Sequence, residues 1–130
     1  MKDQCDFPAF YVERIQENIL HITIKKVKKL VSEDISQMYA CYKEFSSKYG
    51  VYVILTFPKF LPICEDAMRA AKKKSNQKYV KAIAYVVSSA AVKAGANFFL
   101  KTFKPNYQSA IFNTKSEALS WVRKIKRKSK

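Results

Sequence analysis

The one histidine of the chain, His21, lies in an alternating stretch, ILHITI, with no second histidine and no carboxylate pair beside it. An imidazole that moves protons needs a partner within hydrogen-bond reach, and nothing in the local sequence supplies one. His21 therefore reads as an ordinary strand residue. Three cysteines, Cys5, Cys41 and Cys64, are odd in number, far apart and without CxxC spacing. With a single histidine they do not make a zinc set. Cys64 opens a predicted helix, where the dipole lowers a thiol pKa, although a buried, inert cysteine is the plainer reading. Glu65 and Asp66 are adjacent, and neighbours on a helix point about 100° apart, which is poor geometry for a paired acid and base. Ser88-Ser89 stands at a strand-to-helix switch that suits an anion or, more simply, a helix cap. There is no GxSxG, Gly-rich phosphate loop or HExxH. The residues point away from an enzyme, a metal centre and a cofactor.

The elements that must position these groups centre on Val80 to Asn113. Ala82 to Val87 is a nearly unbroken apolar run, as in a strand covered on both faces. From Ala90, the residues Val92, Ala96, Phe99, Leu100 and Phe103 recur at helical spacing, until Lys104-Pro105-Asn106 stops the helix. Ala110 to Phe112 is the next strand. Upstream, Phe10–Gln16 and Ile19–Lys25 read as two strands joined by a tight turn at Glu17-Asn18. Leu20, Ile22 and Ile24 form the core face of the second. Ser32 is the expected cap of a helix carrying Ile35, Met38, Tyr39, Tyr42 and Phe45, which ends after Lys48 at Gly50. Val51 to Phe57 is a further apolar strand. Pro58 and Pro62 bracket the loop PKFLP, and Cys64 to Lys74 is a helix with a cationic end. Thr114 to Glu117 forms a capping box for a last helix with Ala118, Leu119, Trp121, Val122 and Ile125 inward. The order is ββαβαβαβα: an α/β fold with a mixed, mostly parallel sheet and helices packed mainly on one side.

A length of 130 residues and 48% hydrophobic content suit one domain over residues 1–130, with its core at about 10–125 and a basic tail at 123–130. No apolar run approaches the ~18 residues of a membrane span, and MKDQCDFPAF lacks the apolar core of a secretory signal. Free thiols without a signal fit a reducing cytoplasm. The net charge of +15 favours nucleic acid, acidic proteins or an anionic membrane as partners without choosing among them.

The element order, with AIAYVVSSAAVKAGANFFLKTFKP followed by SAIFNTKSEALSWV, resembles the small bacterial STAS-like proteins, relatives of the anti-sigma-factor antagonist fold. The resemblance runs from about Val12 to Ile125. Its strongest part is the short strand ending in Phe112, the capped turn, then Glu117-Ala118-Leu119 and Trp121. It implies a regulatory or interaction module. In anti-sigma-factor antagonists the loop after the central strand carries a phosphorylatable serine. The equivalent stretch here, Thr56 to Ala67, contains none.

On this reading the first expectation is a non-enzymatic STAS-like module that binds a protein partner or itself as a homodimer. Its contacts would come from the 58–64 loop, with Lys59, Phe60 and Cys64, and from the helix bearing Phe98, Lys101 and Lys104. The alternative is a peripheral binder of an anionic membrane surface or of an apolar or lipid ligand. That would use Phe98, Lys101 and Lys104 together with the tail residues Arg123, Lys124, Lys126, Arg127 and Lys128. Non-specific nucleic-acid binding is a third reading, supported only weakly by Tyr79 and Tyr107 near Lys78, Lys81 and Lys104. A solvated helix end is the plain reading of the basic run.

Overall fold

A computed structural model describes residues 3–46, 50–61, 64–73 and 78–128. Lys48, Pro62 and Lys74, used above to mark element ends, and the last two residues of the 123–130 tail lie outside the described residues. The chain runs β1 (Gln4–Asp6), β2 (Phe10–Gln16), β3 (Ile19–Ile24), α1 (Ser32–Phe45), β4 (Val51–Thr56), α2 (Glu65–Lys72), β5 (Val80–Val86), α3 (Ala90–Phe103), β6 (Gln108–Phe112) and α4 (Lys115–Lys128). Six strands form one sheet in sequence order. β1, β2 and β3 pair antiparallel, and β3 to β6 pair parallel. The α/β class and the mixed, mostly parallel sheet are those the sequence predicts.

Three parallel crossovers that step in the same direction put their helices on the same face of the sheet. Side chains of α1, α2 and α3 accordingly meet Leu20, Ile22, Val53, Leu55, Ile83 and Tyr85 in the larger core. α4 lies on the opposite face, where Ala118, Val122 and Ile125 cover Ile19, Tyr52, Ile54, Ala82, Ala84 and Val86. Coverage on both faces explains why β4 and β5 are apolar without alternation. Ile19 is fully buried, because the face of β3 opposite Leu20, Ile22 and Ile24 is also core.

Local chemistry sets the joints. Asn18 turns the β2–β3 hairpin at φ 69°, and its carbonyl accepts from Tyr52 N at 2.7 Å, tying the turn to β4. Asparagine tolerates the left-handed region better than most residues. Gly50 enters β4 at φ +81°. At α1 the expected Ser32 cap is replaced: Ser32 is the first helical residue, and the Asp34 carboxylate accepts from Val31 N at 2.9 Å. An acidic residue at that position satisfies an orphan amide and opposes the helix dipole. At α3 and α4 the predicted caps form. Val92 N donates to Ser89 Oγ at 3.4 Å. Glu117 N donates to Thr114 Oγ1 at 3.2 Å, whose hydroxyl donates to Glu117 Oε1 at 3.0 Å. α3 ends at Lys104, which takes φ 52° ahead of Pro105.

The strand order predicted from sequence lacks β1. Its three residues, QCD, pair with Tyr11 to Glu13 at the sheet edge, and so short a polar edge strand has neither apolar period nor length to announce it. α2 is also shorter than Cys64 to Lys74, since Cys64 is its N-cap and Lys73 its C-cap.

Candidate functional site

α3 is an apolar helix that does not sit down on the sheet. Its sequence, AAVKAGANFFLKTF, has the composition of a buried helix, yet none of its residues is fully buried. The reason lies in side-chain size. The residues it contributes to the cleft are Ala91, Val92, Gly95, Ala96 and Phe99, mostly small, while the facing floor carries Tyr85 and Phe57 and Leu100 packs on the core with Val92 and Ala96. Small residues over large ones leave a gap that close packing would otherwise fill. The gap is a cleft of about 450 Å³, within the roughly 300–1,000 Å³ of small-molecule sites.

Its floor is Ile24, Leu55, Phe57, Ile83 and Tyr85 of the sheet face. The far wall comes from α1 with Met38, Tyr39 and Tyr42, and from α2 with Ala67, Met68 and Ala71. Phe60, 69% exposed, stands at the mouth with Leu61. Lys72 Nζ lies 6.0 Å from the Phe99 ring centroid, so a cation stands beside an aromatic wall of the cleft.

The polar groups inside are tyrosine hydroxyls. Tyr85 and Tyr107 share a hydrogen bond at 2.9 Å, and Tyr39 Oη donates to Ala71 O at 3.2 Å. Burial raises the pKa of all four cleft tyrosines, Tyr39, Tyr42, Tyr85 and Tyr107, above the usual 10. Their hydroxyls stay protonated at physiological pH. Tyr39 donates its proton to Ala71 and one of Tyr85 and Tyr107 donates to the other, so within that pair one hydroxyl keeps a proton to offer a ligand. Held protonated, all four are poor bases and nucleophiles.

A second group of polar side chains lies on the α4 face. His21 Nε2 is 2.8 Å from Thr56 Oγ1, Glu13 is the cross-strand neighbour of His21, and Lys115 approaches Glu13 at 4.0 Å. The partner that sequence could not show for His21 is thus a hydroxyl from β4, thirty-five residues away. Partial burial, then the Lys115 charge, hold the His21 pKa below its usual 6.5, against an opposing pull from Glu13. The unfolded chain therefore binds this proton first. Stability from this group is complete above about pH 6.5 and falls as acidification proceeds through the lower folded value. We expect the denaturation midpoint to fall between about pH 7.5 and pH 5, and to fall less in His21→Gln. A variant with the same slope would show that carboxylates alone set it.

The remaining candidates separate. Phe98 is 70% exposed on the outer side of α3, with exposed Lys101 and Lys104 towards its end. Lys59 is exposed beside Phe60. Cys64 caps α2 and donates its thiol to the Asp66 carboxylate, and that bond is the leading cause of a lowered Asp66 pKa. The basic residues of α4 lie on the other side of the sheet from α3. Arg123 Nε donates to Gln16 Oε1 at 3.0 Å and Lys126 Nζ to the Glu17 carbonyl, so these two clamp the hairpin turn rather than fray into solvent. Lys124, Arg127 and Lys128 are exposed. The cleft was missed because Val92, Ala96 and Phe99 read equally well as core. The available signal was the run of small residues, Ala90, Ala91, Ala94, Gly95 and Ala96.

Among the described residues, no group of three or more His, Cys, Asp or Glu is placed to hold a metal, and no helix is long and apolar enough to cross a membrane. No curated protein and no solved structure matches the chain. A family model does match, over residues 13–126, which runs from within β2 through most of α4 and takes in the whole cleft: the chain belongs to the family described as a domain of unknown function, DUF7793.

Proposed function

We propose that this chain is a non-enzymatic, STAS-like binding module whose cleft under α3 takes an apolar small molecule, of the size class of a long-chain fatty acid. The observation that carries the reading is the 450 Å³ apolar cleft beneath a helix that has no fully buried residue. A monomeric domain gains by closing such a gap, because each unfilled contact forfeits dispersion energy and burial. A gap kept open by small residues on one wall and tyrosines on the floor is the arrangement a ligand site needs. The few hydroxyl donors fix orientation, and the apolar walls supply affinity. Binding, not turnover, fits tyrosines held protonated and a histidine engaged with Thr56. The free thiols Cys5, Cys41 and Cys64 support a cytoplasmic setting for the module.

A second reading, binding a protein partner or another copy of the chain, draws on the STAS-like resemblance and on the exposed Phe60 at the cleft mouth. Native mass spectrometry on freshly purified protein separates the two. A discrete added mass that solvent extraction releases, together with saturable uptake of cis-parinaric acid, supports the cleft. A ligand-free dimer mass with no uptake of that probe overturns it in favour of the partner reading.

A further inference from the structure

We propose that the outer face of α3 is a docking surface for an anionic lipid membrane. The charge distribution leads there. From Ala67 to Ser116, fifty residues contain no Asp or Glu, but nine lysines and one arginine. That stretch supplies most of α2, all of β5, α3 and β6, and the first residues of α4. The acidic residues sit elsewhere: nine of the ten precede Ala67, and Glu117 closes the Thr114 cap. Of the net +15, this stretch carries +10, the residues before it sum to zero, and the remaining +5 lies in the last residues, 117–130.

On that acid-free stretch α3 shows solvent a mixed face, in which small apolar residues and one phenylalanine stand among Lys93, Asn97, Lys101 and Thr102. Ala90, Ala94 and Phe98 succeed one another at helical spacing and are exposed, flanked by exposed Lys93 and Lys101. A surface helix normally turns charged residues outward. One that sets alanines and an exposed phenylalanine between two lysines suits a helix lying in the headgroup region, with its aromatic side chain entering the acyl boundary. Phe98, 70% exposed, is that side chain.

Charge complementarity selects this occupant over the others. A second copy would bring two acid-free, lysine-bearing faces together, and like charges would oppose the contact. Nucleic acid would be gripped best by arginine forks and by bases stacked on aromatic rings set among them. The exposed cations of α3 are all lysines. The surface also differs from the α4 basic cluster, which lies across the sheet and has two members tied to the hairpin.

The test is co-sedimentation of the full chain with extruded vesicles. Phosphatidylcholine containing about one third phosphatidylserine is compared with phosphatidylcholine alone, at about 0.1 M and about 0.5 M salt. We expect binding to the acidic vesicles only, weakened by salt. Lys93→Gln with Lys101→Gln should lower the partition coefficient about tenfold or more, at roughly fivefold per lysine. Phe98→Ser should lower it about tenfold, and Phe98→Trp should restore it, with a blue-shifted emission on the acidic vesicles. Circular dichroism checks the fold of each variant, and at an exposed position the fold is expected to hold.

Phe98→Ser without effect overturns the proposal, as does loss of binding in Lys124→Gln with Lys128→Gln while the α3 variants bind normally. Equal binding to neutral vesicles overturns it too, and so does absence of vesicle binding with tight, Phe98-independent binding of a single-stranded oligonucleotide. The proposal does not rest on the cleft being filled. Gly95→Leu, which narrows the cleft from inside, should bind vesicles as the unaltered chain does, so failure of one reading leaves the other standing.

Discussion

Gly95→Leu is expected to raise the melting temperature by roughly 3–6 °C and to lower the affinity for cis-parinaric acid at least about tenfold. The two effects come from the same atoms. A Cβ built at Gly95 meets nothing within 4 Å, and the position lines the cleft between Val92 and Phe99. Leucine there removes the backbone-entropy cost of glycine in a helix, about 0.5–1 kcal/mol, and extends an apolar side chain from the α3 wall into the cleft. It also occupies the space a ligand would take. Stabilisation with loss of binding is the signature of a cleft kept open for use, since a site under no functional demand gains from being filled. Gly50 marks the contrast. Its φ is +81°, and a Cβ would stand 2.8 Å from Lys81 Cγ and 3.1 Å from the Tyr79 carbonyl. Any side chain there is strained, so its glycine serves the backbone and not the cleft. Thermal denaturation and fluorescence titration of the Gly95 variant decide the matter. An unchanged affinity for the probe would mean that the probe binds elsewhere.

The fold was legible because its signals are local. Val51 to Thr56 and Val80 to Val86 are apolar without alternation, and both are central strands covered on two sides. Thr114 and Glu117 cap α4 as their spacing requires, and Asn18 turns the hairpin. The cleft was not legible, because it depends on a distance between elements and not on a pattern within one. Val92, Ala96 and Phe99 have the period of a core-facing stripe whether the helix seats fully or stands off. What decides is the size of residues facing them from β5 and from Tyr107, which no window of sequence brings together. The same limit hid the partner of His21. Thr56 lies across a parallel strand pair whose register, His21 opposite Ile54, is fixed by burial on both faces and not by any motif. The basic tail was half legible: its charge is plain in sequence, but its attachment to Gln16 and Glu17 needs the hairpin to be in place beneath α4.

Amide hydrogen exchange should divide the molecule sharply, with α3 exchanging roughly a hundredfold or more faster than β4 and β5 at neutral pH. Protection follows the free energy of the opening that exposes each amide, and an element opens alone when it has few buried contacts to lose. Val53 and Ile54 of β4 and Ala82 and Ala84 of β5 are buried between helices on both faces, so their amides exchange only with near-global unfolding. α3 holds the larger core through partly buried Val92, Ala96 and Leu100 alone, and Gly95 weakens it further. Helices of this length are marginal without packing. α3 is therefore expected to lift before β4, β5 and α4, and lifting it would open the cleft without disturbing the sheet. α4 makes the useful comparison. It is also fourteen residues long, but Ala118, Val122 and Ile125 are buried, so it should exchange slowly. A ligand seated under α3 adds the contacts the apo protein lacks, and protection should rise in α3 while β4 stays unchanged. Exchange as slow in α3 as in α4 would show that the helix is held by more than these contacts, and that entry to the cleft needs a different movement.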